Sequence, residues 1–185
     1  ELERKQVAEF LAGMPMGSAA TTEIQACEHI PAFNSFDRPD FGNWGIDANQ
    51  RYISDKDSGI SPDAIGRLIP AWSVGFPNSN RMRSQPTLAG GYLFVGTHNG
   101  GVYALDQEFG CMIWHFNAAG EVRTGISIDP WDRENSDADP QIYFGDVLGN
   151  VYALKARTGD LVWRDKADDH ANATITGAPS LHNGV

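Results

Sequence analysis

Arg123 and Thr176 offer a cation and a hydroxyl, two groups that can hold an anionic or carbonyl ligand. Each also has an ordinary role open to it. Arg123 can pair with a nearby carboxylate such as Glu121 at the surface, which is worth little, and Thr176 suits any β-strand. Thr174 lies two residues before Thr176 on the same strand face, and Arg83 and Gln85 stand just before another strand. Other polar groups carry less. Cys27 and His29 are two apart, but a metal site needs more ligands than the sequence supplies around them. The acidic stretch from Asp129 to Pro140 could bind Ca²⁺ through its oxygens, yet its spacing fits no EF-hand loop, and it reads as a solvated insertion. His170, after Asp168 and Asp169, could act as a general base and reads as a surface-loop histidine. Met14 and Met16 could suggest haem ligands, but no Cys-x-x-Cys-His is present, so no covalent haem site lies in this chain. They read as linker residues.

The elements that must hold these side chains come from a pattern written twice. Tyr92 to Phe116 (YLFVGTHNGGVYALDQEFGCMIWHF) aligns without a gap on Gln141 to Asp165 (QIYFGDVLGNVYALKARTGDLVWRD). Gly96 falls on Gly145, Gly100 on Gly149, Gly110 on Gly159 and Trp114 on Trp163, with Val-Tyr-Ala-Leu shared between them. Self-similarity at a period of roughly 40 to 50 residues, with four short strands per period, predicts propeller blades. The glycines suit hairpin turns. The Val-Tyr-Ala-Leu run suits a strand buried on both faces between stacked sheets. The Trp can cover a junction between blades while its indole N–H finds a partner.

The run Ala153-Leu154, a turn, Thr158-Gly159 and then Trp163 resembles the tryptophan-docking repeat of the pyrroloquinoline quinone (PQQ) propeller dehydrogenases. The first copy departs by carrying Phe109 in place of the Thr. Within that family the chain is most similar to the polyvinyl-alcohol-dehydrogenase-like quinohaemoproteins. The likeness is carried by Gly42-Asn43-Trp44-Gly45, Gln85 to Gly91, Gly110-Cys111 with Trp114, Val122-Arg123-Thr124 and Ile175 to Pro179, covering most of the chain from Cys27 onward.

The resemblance implies a PQQ site on the innermost strands, which line the channel of a propeller. PQQ has three carboxylates and an ortho-quinone, so its site needs cations or hydroxyls for the carboxylates and a donor at the quinone oxygens. By resemblance Arg123 approaches the quinone oxygens and stabilises the negative charge that develops there, and Thr176 binds a PQQ carboxylate. Thr174, Arg83 and Gln85 are the weaker cofactor-binding candidates. Arg83 departs from the better-known alcohol dehydrogenases, which have a carboxylate near this place. The paired cysteines that precede the Arg in soluble alcohol and methanol dehydrogenases are replaced by Ala118-Ala119-Gly120-Glu121-Val122, in favour of the polyvinyl-alcohol-type branch. The family's Ca²⁺ ligands and catalytic Asp come from later blades, beyond Val185, so no catalytic or metal-binding residue is assigned. The implied parent is a periplasmic quinohaemoprotein that oxidises an alcohol, or a polymer of alcohols, and passes electrons through haem c to a cytochrome. The alternative is a cofactor-free propeller that serves as a protein-binding scaffold, because fold alone does not give function.

Composition sets the outer limits. The chain has 185 residues with a net charge of −10 and a pI of about 4.8. With no basic patch, nucleic acid is an improbable partner, and the acidity reads as solubility. No apolar run is long enough to cross a bilayer. Cys27 and Cys111 could form a disulfide, which sequence leaves open. The opening without Met and the ending in a turn at His182-Asn183-Gly184 read as a fragment of a longer protein.

The expected fold is mainly β: a partial β-propeller of two four-stranded blades with flanking strands and a short N-terminal helix. Residues 1–16 would be the last helix of a preceding cytochrome c-like domain, 17–40 a linker or an irregular wrapping segment, and 41–185 the partial propeller. Within it, Phe41 to Tyr52 resembles the entry segment and Ile60 to Leu68 a short helix or turn. Leu68 to Phe76 is expected as an outer strand of a preceding blade, carrying Trp72. Blade strands are expected at Gln85–Ala89, Tyr92–Thr97, Gly101–Asp106 and Cys111–Phe116. The second set is Val122–Ile128, Gln141–Gly145, Asn150–Leu154 and Asp160–Arg164, and a third blade begins at Ala173–Leu181.

Overall fold

A computed structural model of the chain describes residues 5–7, 9–10, 23–33, 59–135 and 137–181. The expectations for Met14 and Met16, the entry segment at Phe41 to Tyr52, most of the linker and the closing turn after Leu181 lie outside the described residues. Residues 5–7 and 9–10 are helical, with Lys5 and Glu9 3.7 Å apart on one face.

Two antiparallel sheets follow, each a simple meander. The first is β1 (Thr87–Ala89), β2 (Tyr92–Gly96), β3 (Gly101–Asp106) and β4 (Met112–Asn117). The second is β5 (Ser127–Ile128), β6 (Gln141–Gly145), β7 (Asn150–Lys155) and β8 (Leu161–Lys166). The repeat in sequence is a repeat in register: Phe94 faces Ala104 as Tyr143 faces Ala153. The ladders slip at the same place, Ala104/Leu105 and Ala153/Leu154. A single helical turn, α1 (Pro62–Ile65), follows Ser61, where Pro at the first position needs no N–H partner.

The main core lies between the sheets. Phe94, Ala104 and Trp114 from the first meet Ile142, Phe144, Tyr152 and Leu154 from the second. Phe144 and Tyr152 stack at 4.9 Å, and Phe116 meets both edge-on at 6.3 and 5.9 Å. Burying each such side chain contributes roughly 1.5–3 kcal/mol. This explains why β3 is buried along its whole length while every residue of β8 is exposed. The far face of the first sheet carries a smaller cluster, Val95, Tyr103 and Leu105, covered by Ile24, Trp72, Val74, Phe76 and Met112.

Three expectations are corrected. Leu68 to Phe76 is irregular rather than a strand. It is held through its side chains, with Trp72 Nε1–H donating to Gln107 O at 3.2 Å and Phe76 packing on Tyr103 at 5.0 Å. No described residue in 173–181 is in a strand. The innermost strands are also shorter than expected, Thr87–Ala89 and Ser127–Ile128. In the second, the expected start leaves the ladder because its backbone bonds elsewhere: Val122 N–H donates to Thr97 O of the first repeat at 3.0 Å.

The segment from Glu23 to Phe33 wraps the first sheet. Ala26 bridges Met112 in parallel, with Met112 N–H donating to Gln25 O and Cys27 N–H to Met112 O. Cys27 and Cys111 form a disulfide there, which resolves the pairing and removes Cys27 as a metal ligand. Phe33 is buried over Gly90 and packs on Tyr92 and on Trp131 of the insertion.

Candidate functional site

The repeat places three of the sequence-predicted residues at one equivalent position. Gly96 N–H donates to Ser84 Oγ at 3.2 Å, and Gly145 N–H to Thr124 Oγ1 at 3.2 Å. Arg83 and Arg123 each precede that hydroxyl. The next repeat is tied in the same manner. Val122 covers Gly96 and donates its N–H to Thr97 O, as Ile175 covers Gly145 and donates to Asp146 O at 3.1 Å. Thr176 therefore follows Ile175 as Arg123 follows Val122. Further out, Thr87 Oγ1 donates to Ile126 O at 2.5 Å, and Ser127 Oγ likewise to Pro179 O. Arg83, Arg123 and Thr176 thus stand at the start of the innermost segment in three successive units. Thr174 occupies the place that Glu121 has beside Arg123.

Their environments differ. Arg83, Thr174 and Thr176 are exposed, and Gln85 and Arg123 are half-buried. Arg123 Nη2 donates to Glu121 Oε2 at 2.8 Å. That hydrogen bond holds the Glu121 carboxyl below its usual range against the opposing effect of burial. The charges of Arg123, Arg83 and His98 add to the same direction. Arg83, Arg123 and Glu121 are accordingly brought into one electrostatic cluster. The guanidinium of Arg123 is in turn pushed up by its bond to Glu121. The ordinary pairing open to Arg123 in the sequence is therefore made, but it uses one donor. Arg123 Nε is buried and has no hydrogen-bond partner among the described residues. Buried donors are normally paired, so the Arg123 Nε–H stands out as a donor with no partner among the described residues. Arg123 supplies a cation and Thr174 and Thr176 supply hydroxyls, the donor types that the oxygens of an anionic quinone would need.

Sequence reasoning passed over the turn between β6 and β7. Asp146 is fully buried and accepts from Leu148 N–H at 2.9 Å, Asn150 N–H at 3.0 Å, Asn150 Nδ2 and the Tyr152 hydroxyl at 2.8 Å. Burial works to raise its pKa, and these hydrogen bonds outweigh that and lower it. The sequence carries only a faint signal, one of many differences between the two copies: Asp146 stands where the first copy has Thr97.

The remaining candidates lie apart. His170 is exposed and folded into its own loop, where its N–H donates to Asp168 Oδ1 at 2.7 Å. Asp129 accepts from the Tyr143 hydroxyl at 3.1 Å, and Asp132 caps its own turn through Glu134 N–H. Among the described residues no three His, Cys, Asp or Glu side chains gather as a metal site, and no helix is long and apolar enough to cross a membrane. A groove of about 780 Å³ opens on the far side of the first sheet, lined by Glu23, Gln25, Asn99, Tyr103 and His115 among others, and none of the five predicted site residues borders it.

A family model described as glucose/ethanol/alcohol dehydrogenase, beta-propeller domain, and named PQQ, matches residues 43–165. The chain is 30% identical over 173 residues to the polyvinylalcohol dehydrogenase of a Pseudomonas species, covering 93% of this chain and 26% of that protein. It is 34% identical over 125 residues to the quinoprotein ethanol dehydrogenase of Pseudomonas putida, covering 66% of this chain and 20% of that one. Among solved structures, the quinohemoprotein alcohol dehydrogenase from Comamonas testosteroni superposes with a TM-score of 0.61 at 22% identity, over 83% of this chain and 25% of that chain. The last is a likeness of fold. The chain thus spans between 20% and 26% of the length of these relatives.

Proposed function

The chain belongs to the family of PQQ-dependent dehydrogenase β-propellers, and from that premise we propose that it forms part of a quinohaemoprotein alcohol dehydrogenase of the polyvinyl-alcohol type. The observation that carries the proposal is Arg123, held through Nη2 by Glu121 with its buried Nε left unpaired, at the position that Arg83 and Thr176 repeat in the neighbouring units.

When bound, PQQ supplies an ortho-quinone as electron acceptor for alcohol oxidation. Arg123 would hold a fixed positive charge where negative charge develops, at no reorganisation cost, because Glu121 already orients the guanidinium. Thr176, with Thr174 beside it, would donate hydroxyl hydrogen bonds to a carboxylate of the cofactor, and Arg83 would add positive potential from the preceding unit. Gln85 would contribute an amide to the same rim. Ca²⁺, haem c and the catalytic base would be held by residues outside this chain, and the electron acceptor would be a cytochrome. The residues 1–16 would close a preceding cytochrome c-like domain, and 17–40 would join it to the propeller, with Glu23 to Phe33 packed on the first sheet. The Cys27–Cys111 disulfide supports an oxidising compartment, in keeping with a periplasmic location.

The test is a PQQ titration of the complete apoprotein with Ca²⁺ present, followed by quinone absorbance and binding heat. Saturable binding is expected, weakened about 10- to 100-fold in Arg123→Ala, as for the loss of a charge-assisted hydrogen bond. Dye reduction should follow addition of a secondary alcohol. A folded protein that binds no PQQ would overturn the enzyme reading and leave a scaffold.

A further inference from the structure

We propose that Asp146 is a positioning residue for the quinone site, setting the spacing of Arg123 and Thr176 through the β6–β7 turn. The proposal rests on the assignment of Arg123 and Thr176 above. Val122 N–H is anchored on Thr97 O of the first repeat, but several other anchors around those two residues run to this turn or to a side chain that Asp146 holds. On the Arg123 side, Glu121 O accepts from Val147 N–H at 2.9 Å, and Thr124 Oγ1 accepts from Gly145 N–H at 3.2 Å. Ala119 N–H donates to the Tyr152 hydroxyl at 3.0 Å, and that hydroxyl donates its own proton to Asp146 Oδ2 at 2.8 Å. On the Thr176 side, Ile175 N–H donates to Asp146 O at 3.1 Å, and the Ile175 side chain lies on Gly145. The turn is therefore a wedge between the two innermost segments.

Asp146 makes that wedge stiff. Its carboxylate gathers two backbone N–H groups, the Asn150 amide and the Tyr152 phenol, all within 3.0 Å. Asn150 is clamped from outside by Arg164 Nη2 at 3.1 Å, and the Arg164 guanidinium lies 5.6 Å over the Tyr152 ring. The first repeat shows that the turn itself does not require a charge. There Thr97 occupies the place of Asp146 and bonds only Asn99 Oδ1 and Gly101 O through its hydroxyl. Tyr103, the counterpart of Tyr152, stacks on His115 instead. Burying a carboxylate is costly unless it is fully hydrogen-bonded. That arrangement is built in the repeat flanked by Arg123 and Thr176, where a neutral Thr suffices for the same turn next door.

The test uses the complete apoprotein and PQQ, with Asp146→Thr borrowing the residue of the first repeat and Tyr152→Phe as a milder variant. Two readouts are needed. Amide hydrogen exchange at Val147 and Ile175, measured without PQQ, should quicken in both variants. PQQ affinity by calorimetry should fall about 5- to 10-fold in Asp146→Thr and less in Tyr152→Phe. In the Arg123→Ala background the Asp146→Thr loss should shrink, because Asp146 acts through Arg123. Unchanged affinity in both variants, with Arg123→Ala still weakened, overturns the positioning role. Losses that simply multiply in the double variant overturn it too, since general destabilisation has no reason to spare the Arg123→Ala protein. If Arg123→Ala itself binds PQQ as wild type does, the quinone-site assignment fails, and this proposal with it.

Discussion

The indole of Trp114 lies flat against Gly159, so close that a Cβ there would stand 2.7 Å from the ring, while Trp114 Nε1–H donates to Ala156 O at 2.9 Å. Gly159 also has φ +74°, a conformation glycine alone adopts without strain. Trp72 docks on Gly110 in the same way, with Gly110 at φ +71° and a Cβ only 2.5 Å from the ring. Gly159→Ala should therefore destabilise the protein by about 2–4 kcal/mol, combining backbone strain with overpacking. Chemical denaturation checks this. A loss within experimental error would mean that the indole moves aside freely.

The disulfide closes a loop across a sequence separation of 84 residues. Cross-links over loops of this order stabilise by about 2–4 kcal/mol, chiefly by restricting the unfolded chain. Cys27→Ser should lower stability by that amount. It should also speed proteolytic cutting between Glu23 and Phe33, since the backbone bonds to Met112 then hold the arm with Phe33 but without the covalent tie. Equal cutting rates in wild type and variant would show that the strand pairing alone secures the arm.

Tyr143 carries a pH signature. Burial, then the charge of Asp129 and its hydrogen bond, push the phenol up from 10.0 to about 12. A raised folded pKa favours the neutral form in the native state. The contribution is fully present below pH 10, the ordinary value, and is lost as pH rises towards about 12. Ultraviolet titration of the phenolate should find one tyrosine ionising near that upper value. Asp129→Asn should bring it down, and Tyr143→Phe should remove this part of the alkaline loss of stability. A titration of Tyr143 at its ordinary pKa would contradict the Tyr143–Asp129 contact.

The strands that sequence located within a residue or so, β2, β3, β4, β6, β7 and β8, are those bounded by Gly turns and seeded by Val-Tyr-Ala-Leu. Their partners are neighbours in sequence, so local pattern is enough. The innermost segment of the second repeat was overextended because the decisive bond, Val122 N–H to Thr97 O, joins different repeats. For the same reason Leu68 to Phe76 reads as a strand from its residue types, although what anchors it is a single indole and a cluster of side chains. Arg123 and Thr176 came from the resemblance, while the equivalence of Arg83, Arg123 and Thr176 needed the geometry of Ser84, Thr124 and Ile175. The importance of Asp146 hid in a Thr-to-Asp difference that only burial makes meaningful.

The arm bonded to Met112 also gives the molecule a direction. The outer edge of β4 has its Met112 N–H and C=O taken by Gln25 and Cys27, so a foreign strand finds no free ladder at that point. Among the described residues β8 has no such cover, and its Leu161, Val162 and Trp163 are 50%, 45% and 42% exposed. Exposed edges of this kind are where sheets recruit further strands. The arm thus covers one sheet edge at Met112, a cover that β8 lacks among the described residues.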